Sequence, residues 1–155
     1  MKFRGFARRF ALVFLLFTVR SAVFCQGISA LRTKAKAGDP SAQAKLGAAY
    51  YYGEAVPQDY ALALTWLSKA AEQGDPDAQF LFGVCYDTAQ GVPLSYEKAY
   101  FWYNLAVASG KLEGDAKTDA AQWRDHAAAH LSPAALAAAQ SRARKWYQAH
   151  SGGNG

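Results

Sequence analysis

The chain has 155 residues, 52% of them apolar, 14% aromatic and 19% charged, with a formal net charge of +5. That length holds one compact domain, its apolar and aromatic content excludes a disordered chain, and its two cysteines exclude a disulfide-stapled miniprotein. A positive balance invites a nucleic-acid partner, an inference that depends on where the charge lies.

The excess lies at the N-terminus. Residues 1–25 hold Lys2, Arg4, Arg8, Arg9 and Arg20 and no acid, so the remainder carries 12 basic and 12 acidic residues. No nucleic-acid partner is expected of a neutral body. A basic start followed by the apolar run Phe10–Val19 has the pattern of a signal peptide, and the run is about half the roughly 20 residues that span a bilayer. Residues 1–25 are therefore expected to direct export to a bacterial periplasm or the outside. The alternative is a retained membrane anchor at residues 10–19. Cleavage after Cys25 and cleavage after Ala30 both remain open, and bulky Phe24 spoils a lipoprotein box at residues 22–25.

The middle of the chain repeats itself. Residues 38–73 and 74–109 align without a gap at an offset of 36, with 13 identical pairs, where composition alone gives about three. Each unit reads as two helices. Asp39-Pro40 and Asp75-Pro76 supply an N-cap carboxylate and a proline at the first helical position, where its missing N–H costs nothing. The first helix then carries Ala42, Leu46, Gly47 and Tyr50, matched by Ala78, Phe82, Gly83 and Tyr86, on one helical face. Gly47 and Gly83 lie inside helices, where glycine costs about 1 kcal/mol. Their recurrence predicts close packing against a bulky side chain of the second helix.

A loop containing Pro57 or Pro93 leads to Asp59 or Ser95, both good N-caps. The second helix carries Tyr60, Ala63, Trp66 and Ala70, matched by Tyr96, Ala99, Trp102 and Ala106, and ends before Gly74 or Gly110. Leu31 and Ala35 stand before Gly38 as Leu67 and Ala71 stand before Gly74. Residues 26–37 thus read as the end of a truncated second helix, a cap. Residues 110–150 read as a degenerate helical cap with one helix over Asp115–His130 and another over Pro133–Ala149, opened by the N-cap Ser132. Residues 151–155 read as a frayed tail.

The strings A-Q-x-x-L-G-x-x-Y and V-P-x-D-Y-x-x-A-x-x-W-x-x-x-A-A-x-x-G resemble the Sel-one-like repeat (SLR), a relative of the tetratricopeptide repeat. The match runs from Ala42 to Gly74 and from Ala78 to Gly110, with Phe82, Ser95 and Val107 as departures. The resemblance implies an all-α fold, a right-handed α/α solenoid of two full 36-residue helix-turn-helix repeats between helical caps. It also implies a protein- or peptide-binding scaffold with no catalytic residues and no cofactor. Members with a cysteine pair in each repeat form a separate branch, whose pairs this chain lacks.

His126 and His130 are four apart, but without a third ligand they read as a solvated face and not as a metal site. Cys85 reads as a small buried hydrophobe. No nucleophile elbow and no phosphate-cradling loop occur, so an enzyme is not expected. All acids lie between Asp39 and Asp125, leaving small basic ends at Arg32, Lys34 and Lys36 and at Arg142, Arg144 and Lys145. The segment Phe80–Cys85 is apolar nearly all round. Either neighbours bury it on both sides, or part of it lines a concave groove for a partner. The groove residues would be Lys45, Ala49, Tyr52, Leu81 and Cys85. An envelope subunit that stacks through its ends is the alternative.

Overall fold

A computed structural model describes residues 27–151. Residues 1–26 and 152–155, which include the expected signal segment, lie outside the described residues. Among the described residues there are seven helices and no strand. Helix α1 occupies residues 27–36. It is followed by α2 (Pro40–Tyr52), α3 (Tyr60–Glu72), α4 (Pro76–Asp87), α5 (Tyr96–Ala108), α6 (Asp115–Ala129) and α7 (Pro133–Ser151). Ser151 thus closes α7 instead of opening a tail, because nothing after Pro133 breaks the helix before the glycines.

The caps form as the sequence predicts. Asp39 and Asp75 accept from the backbone N–H of Ala42 and Ala78 at 2.7 and 2.9 Å. Asp59 and Ser95 accept from those of Leu62 and Lys98 at 2.9 and 3.3 Å. Each satisfies a first-turn donor that has no partner inside its helix. The repeat loops are also superposable in their hydrogen bonds. Glu54 and Asp59 donate to Ala49 and Tyr50, and Gln90 and Ser95 donate to Cys85 and Tyr86, all at 2.9–3.0 Å.

Each loop needs two left-handed residues, and the two copies divide them differently. The first has Gly53 (φ 71°) and Ala55 (φ 64°); the second has Ala89 (φ 56°) and Gly91 (φ 75°). Gly91 is required by space as well, since a Cβ there would lie 2.8 Å from Leu64 Cδ1 and 2.9 Å from Tyr60 Cβ on α3.

Two helices of one repeat meet at the internal glycines. A Cβ on Gly47 would lie 2.7 Å from Leu67 Cγ, and a Cβ on Gly83 would lie 2.7 Å from the Tyr103 ring. Leu67 and Tyr103 are equivalent positions of the second helix and both are fully buried. The predicted bulky partner is this residue, and the flanking Trp66 and Trp102 are only half-buried.

Successive repeats are tied by a buried glutamine. Gln43 Nε2 donates to the Ala35 carbonyl at 3.0 Å, and Gln79 Nε2 donates to the Ala71 carbonyl at 3.1 Å. Ala35 is 1% exposed. Helix α1 therefore does for the first repeat what α3 does for the second, which is the role expected of a cap. The first helices α2, α4 and α6 touch in series, and α7 lies on α5. At the C-terminal end buried alanines (Ala120, Ala127, Ala139 and Ala143) stand where the repeats have large side chains, and α6 and α7 both pack on α5. Gln140 donates to the Tyr100 hydroxyl at 3.2 Å, and Arg142 pairs with Glu97 across the α5–α7 seam.

Candidate functional site

Helices α2 and α4 leave a groove of about 270 Å³ between them, lined by Ser41, Ala44, Lys45, Ala48 and Tyr52 of α2 and by Asp77, Phe80 and Leu81 of α4. Lys45 and Tyr52 are exposed, Tyr52 to 60%, while Leu81 is buried and forms part of the floor. The ring of Tyr51 packs edge-on against Tyr52 at 4.9 Å and against Tyr60 at 5.5 Å, which braces the tyrosines at the loop end of the groove. One cation, Lys45, and one anion, Asp77, flank an apolar strip. Such a surface can hold an extended or helical segment by shape and burial, with a charged group at each side.

Lys45, Tyr52 and Leu81 thus line one groove. Ala49 and Cys85, expected beside them, do not. Ala49 is 9% exposed and Cys85 is fully buried, both within the central core. The reason is helical phase. Seven residues turn the helix to about 20° short of two full circles, so Tyr52 stays above Lys45, whereas four residues overshoot one circle by about 40°. That drift carries Ala49, and Cys85 at the equivalent place, under the second helices. Burial pushes the Cys85 thiol up to about 12, so it stays protonated and unreactive.

A second polar cluster escaped the sequence reading. Asp87 is buried at the end of α4 and accepts from the Tyr103 hydroxyl at 3.3 Å. His126 Nδ1 of α6 lies 3.4 Å from the same carboxylate oxygen. Burial, and then the Asp87 charge, push the Tyr103 phenol up. His130 stacks on Tyr96 at 4.1 Å, and His126 lies 4.7 Å from His130. The histidines therefore sit over an aromatic seam, half in contact with the body, instead of on a purely solvated face. The equivalent of Asp87 in the first repeat is Tyr51, so comparing the copies hid it. Among the described residues no group of three His, Cys, Asp or Glu side chains is placed to hold a metal ion. No helix among them is long and apolar enough to cross a membrane.

The family model for the Sel1 repeat matches residues 40–75 and 76–111. These segments keep the 36-residue period and contain the caps Asp59, Asp75 and Ser95, the helix-seam glycines and the groove just described. The chain carries two Sel1 repeats. Solved structures agree. A protective antigen present in uropathogenic Escherichia coli strains, displaying an SLR fold, is 29% identical over 76% of this chain with a TM-score of 0.68. A Sel1 repeat protein from Oxalobacter formigenes is 37% identical over 66% of this chain with a TM-score of 0.59. The match spans only 24% and 28% of those two proteins. No curated protein sequence matches significantly. The Sel1 solenoid is commonly a scaffold for protein–protein interaction, and the repeats here form that solenoid.

Proposed function

We propose that this protein is an exported, non-catalytic scaffold that binds a protein or peptide segment in the groove between α2 and α4. The observation that carries the reading is the exposed Tyr52 standing over an apolar floor of Leu81 and Phe80, with Lys45 and Asp77 at its sides. A rigid aromatic with few rotatable bonds, set at the edge of an apolar strip, is the kind of residue that dominates binding energy at interfaces. The site supplies shape and charge and no reactive group.

Export rests on residues 1–25, with their five basic residues and the apolar run Phe10–Val19. Likeness to a protective antigen is in keeping with it.

Two experiments test the proposal. Partners captured from the producing cell by the wild-type protein are expected to be lost with Tyr52→Ala and Lys45→Glu, which change exposed side chains only. Partner binding unchanged in both variants would overturn the groove. Mass spectrometry of the N-terminus after cell fractionation is expected to show loss of the leader and an extracytoplasmic location. An intact N-terminus in the cytosol would overturn export.

A further inference from the structure

Two groups of the second repeat lack the partner that the first repeat supplies. Gln43 Oε1 accepts from Gln73 Nε2 at 2.7 Å, but Ser109 stands in the place of Gln73 in the second copy, and Gln79 Oε1 is sealed in the core without a donor. Arg32 of α1 donates to the Tyr50 hydroxyl at 3.0 Å. Its place in the second copy is taken by Ser68, which turns back to the Thr65 carbonyl, and the equivalent Tyr86 hydroxyl makes no hydrogen bond among the described residues. Unlike the Gln79 oxygen, this hydroxyl is not sealed, and Tyr86 lines a cleft.

The cleft has a volume of about 340 Å³, within the range of small-molecule sites, and shares no residue with the α2–α4 groove. It lies over α4 between α3 and α5, both of which pack on α4. Phe82 and Tyr86 of α4 and Phe101 and Trp102 of α5 line it as a cluster of rings with neighbouring centres 4.9–5.2 Å apart. The first repeat has Leu46 and Thr65 in place of Phe82 and Phe101, so this cluster is no requirement of the repeat.

Opposite charges stand on the two walls. Glu72 closes α3, and Lys98 in the first turn of α5 holds its Nζ 5.0 Å over the Tyr86 ring. Both are exposed, and neither has an ion-pair partner among the described residues. They replace Lys36 and Leu62 of the first copy. The remaining charge of the lining, Arg142, is already met by Glu97 and lies over Phe101 at 6.0 Å. Along α4 the two unmet charges are about one turn apart. Ala71, beside Glu72, is level with Gln79 through their hydrogen bond, and Ala99, beside Lys98, is level with Gly83. Four residues of helix rise about 6 Å. A single amino acid spans about 3.5 Å and a dipeptide about 7 Å, so the dipeptide is the shortest zwitterion that reaches both.

We propose that this cleft binds a free dipeptide with an aromatic side chain. Its ammonium group meets Glu72, its carboxylate meets Lys98, its peptide group meets the Tyr86 hydroxyl, and its ring lies against Phe82 and Trp102, where offset or edge-on aromatic contact is favourable. A segment inside a longer chain carries neither terminal charge, which sets this ligand apart from an occupant of the α2–α4 groove.

Four probes test the proposal on the full chain: alanyl-phenylalanine, its N-acetyl form without the ammonium, its C-terminal amide without the carboxylate, and phenylalanine alone. Two-dimensional NMR follows the four tryptophan indoles separately. Saturable shifts are expected at Trp102 with alanyl-phenylalanine. Each of the other probes is expected to bind about two- to fivefold more weakly, the size of an exposed charge pair. Glu72→Gln is expected to abolish the preference over the N-acetyl form and to keep the preference over the amide; Lys98→Met is expected to do the reverse. Tyr86→Phe is expected to weaken alanyl-phenylalanine and both blocked forms alike. The substitutions at Glu72 and Lys98 change exposed side chains, and the amide spectrum of each variant shows that it is folded. Absence of shifts at about 10 mM alanyl-phenylalanine, a concentration that detects millimolar affinity, would overturn the proposal. So would equal affinity for all four probes, preferences unchanged in both charge variants, or shifts at Trp66, Trp123 and Trp146 as large as those at Trp102.

Discussion

Gly83→Ala adds a methyl group where two helices of the second repeat touch. The new Cβ would lie 2.7 Å from Tyr103 Cδ1 and Cε1 and 3.3 Å from the Ala99 carbonyl oxygen, against the roughly 3.5–4.0 Å at which carbon atoms pack. The ring has nowhere to go. It is fully buried, its hydroxyl is held by Asp87, and Phe80 and Trp123 lie 5.7 and 6.4 Å away, centre to centre. Overpacking a core costs about 1–3 kcal/mol, and contact with a rigid ring backed by a carbonyl places this site in the upper half of that range. Exchanging glycine for alanine inside a helix returns about 1 kcal/mol. The net expectation is a loss of about 1–2 kcal/mol, or a fall in Tm of about 3–8 °C for a body of this size. Thermal and urea unfolding followed by circular dichroism measure it. Tyr103→Ala alone opens a cavity and costs about 3–5 kcal/mol. In the double variant the methyl group occupies part of that space, so the combined loss should be smaller than the sum by at least about 0.5 kcal/mol. A Tm that rises in Gly83→Ala, or losses that simply add, would refute the argument that Tyr103 is the reason for the glycine.

Three further outcomes follow from the same geometry. Ala89→Gly should stabilise the second loop by a few tenths to about 1 kcal/mol by relieving a left-handed alanine, while Gly91→Ala should destabilise it, because its Cβ meets Leu64 and Tyr60; chemical denaturation of both gives the signs. Gln43→Ala should cost about 1 kcal/mol more than Gln79→Ala, since the first removes two hydrogen bonds, whereas the second removes one bond together with an unpaired acceptor; equal losses by urea unfolding would count against it. Cys85 has its thiol raised from 9.0 to about 12 in the folded protein, so its contribution to stability is whole below pH 9 and is lost as pH rises from 9 towards 12. The slope of unfolding free energy against pH above 9 should be shallower in Cys85→Ala by up to about 1.4 kcal/mol per unit, and identical slopes would exclude the effect. Tyr103, also raised by burial, steepens the loss further above pH 10 in both proteins.

The groove shows how far a periodic pattern reaches. Lys45, Tyr52 and Leu81 could be grouped from spacing alone because seven and thirty-six residues return close to the starting angle. Ala49 and Cys85 were misplaced by 40° of helical drift, which a pattern of fours does not register until a neighbouring helix is present to cover one side. Asp87, Ser109 and Gln79 show the opposite limit. Comparing the copies highlights what they share, and these residues matter through what the second copy lacks.

Local chemistry written in the chain therefore determined the helices, their caps, the 36-residue period and the need for a tight helix seam, because each depends on residues within one turn or one repeat of each other. Only the tertiary structure decided which bulky residue fills that seam, which side of α4 is covered, and that a buried carboxylate meets His126. It also showed that one buried amide oxygen, that of Gln79, has no donor. These depend on contacts between residues 16 to 72 positions apart, from Asp87 and Tyr103 at the near end to Gly74 and Trp146 at the far end, and nothing short of the packed helices brings such groups together.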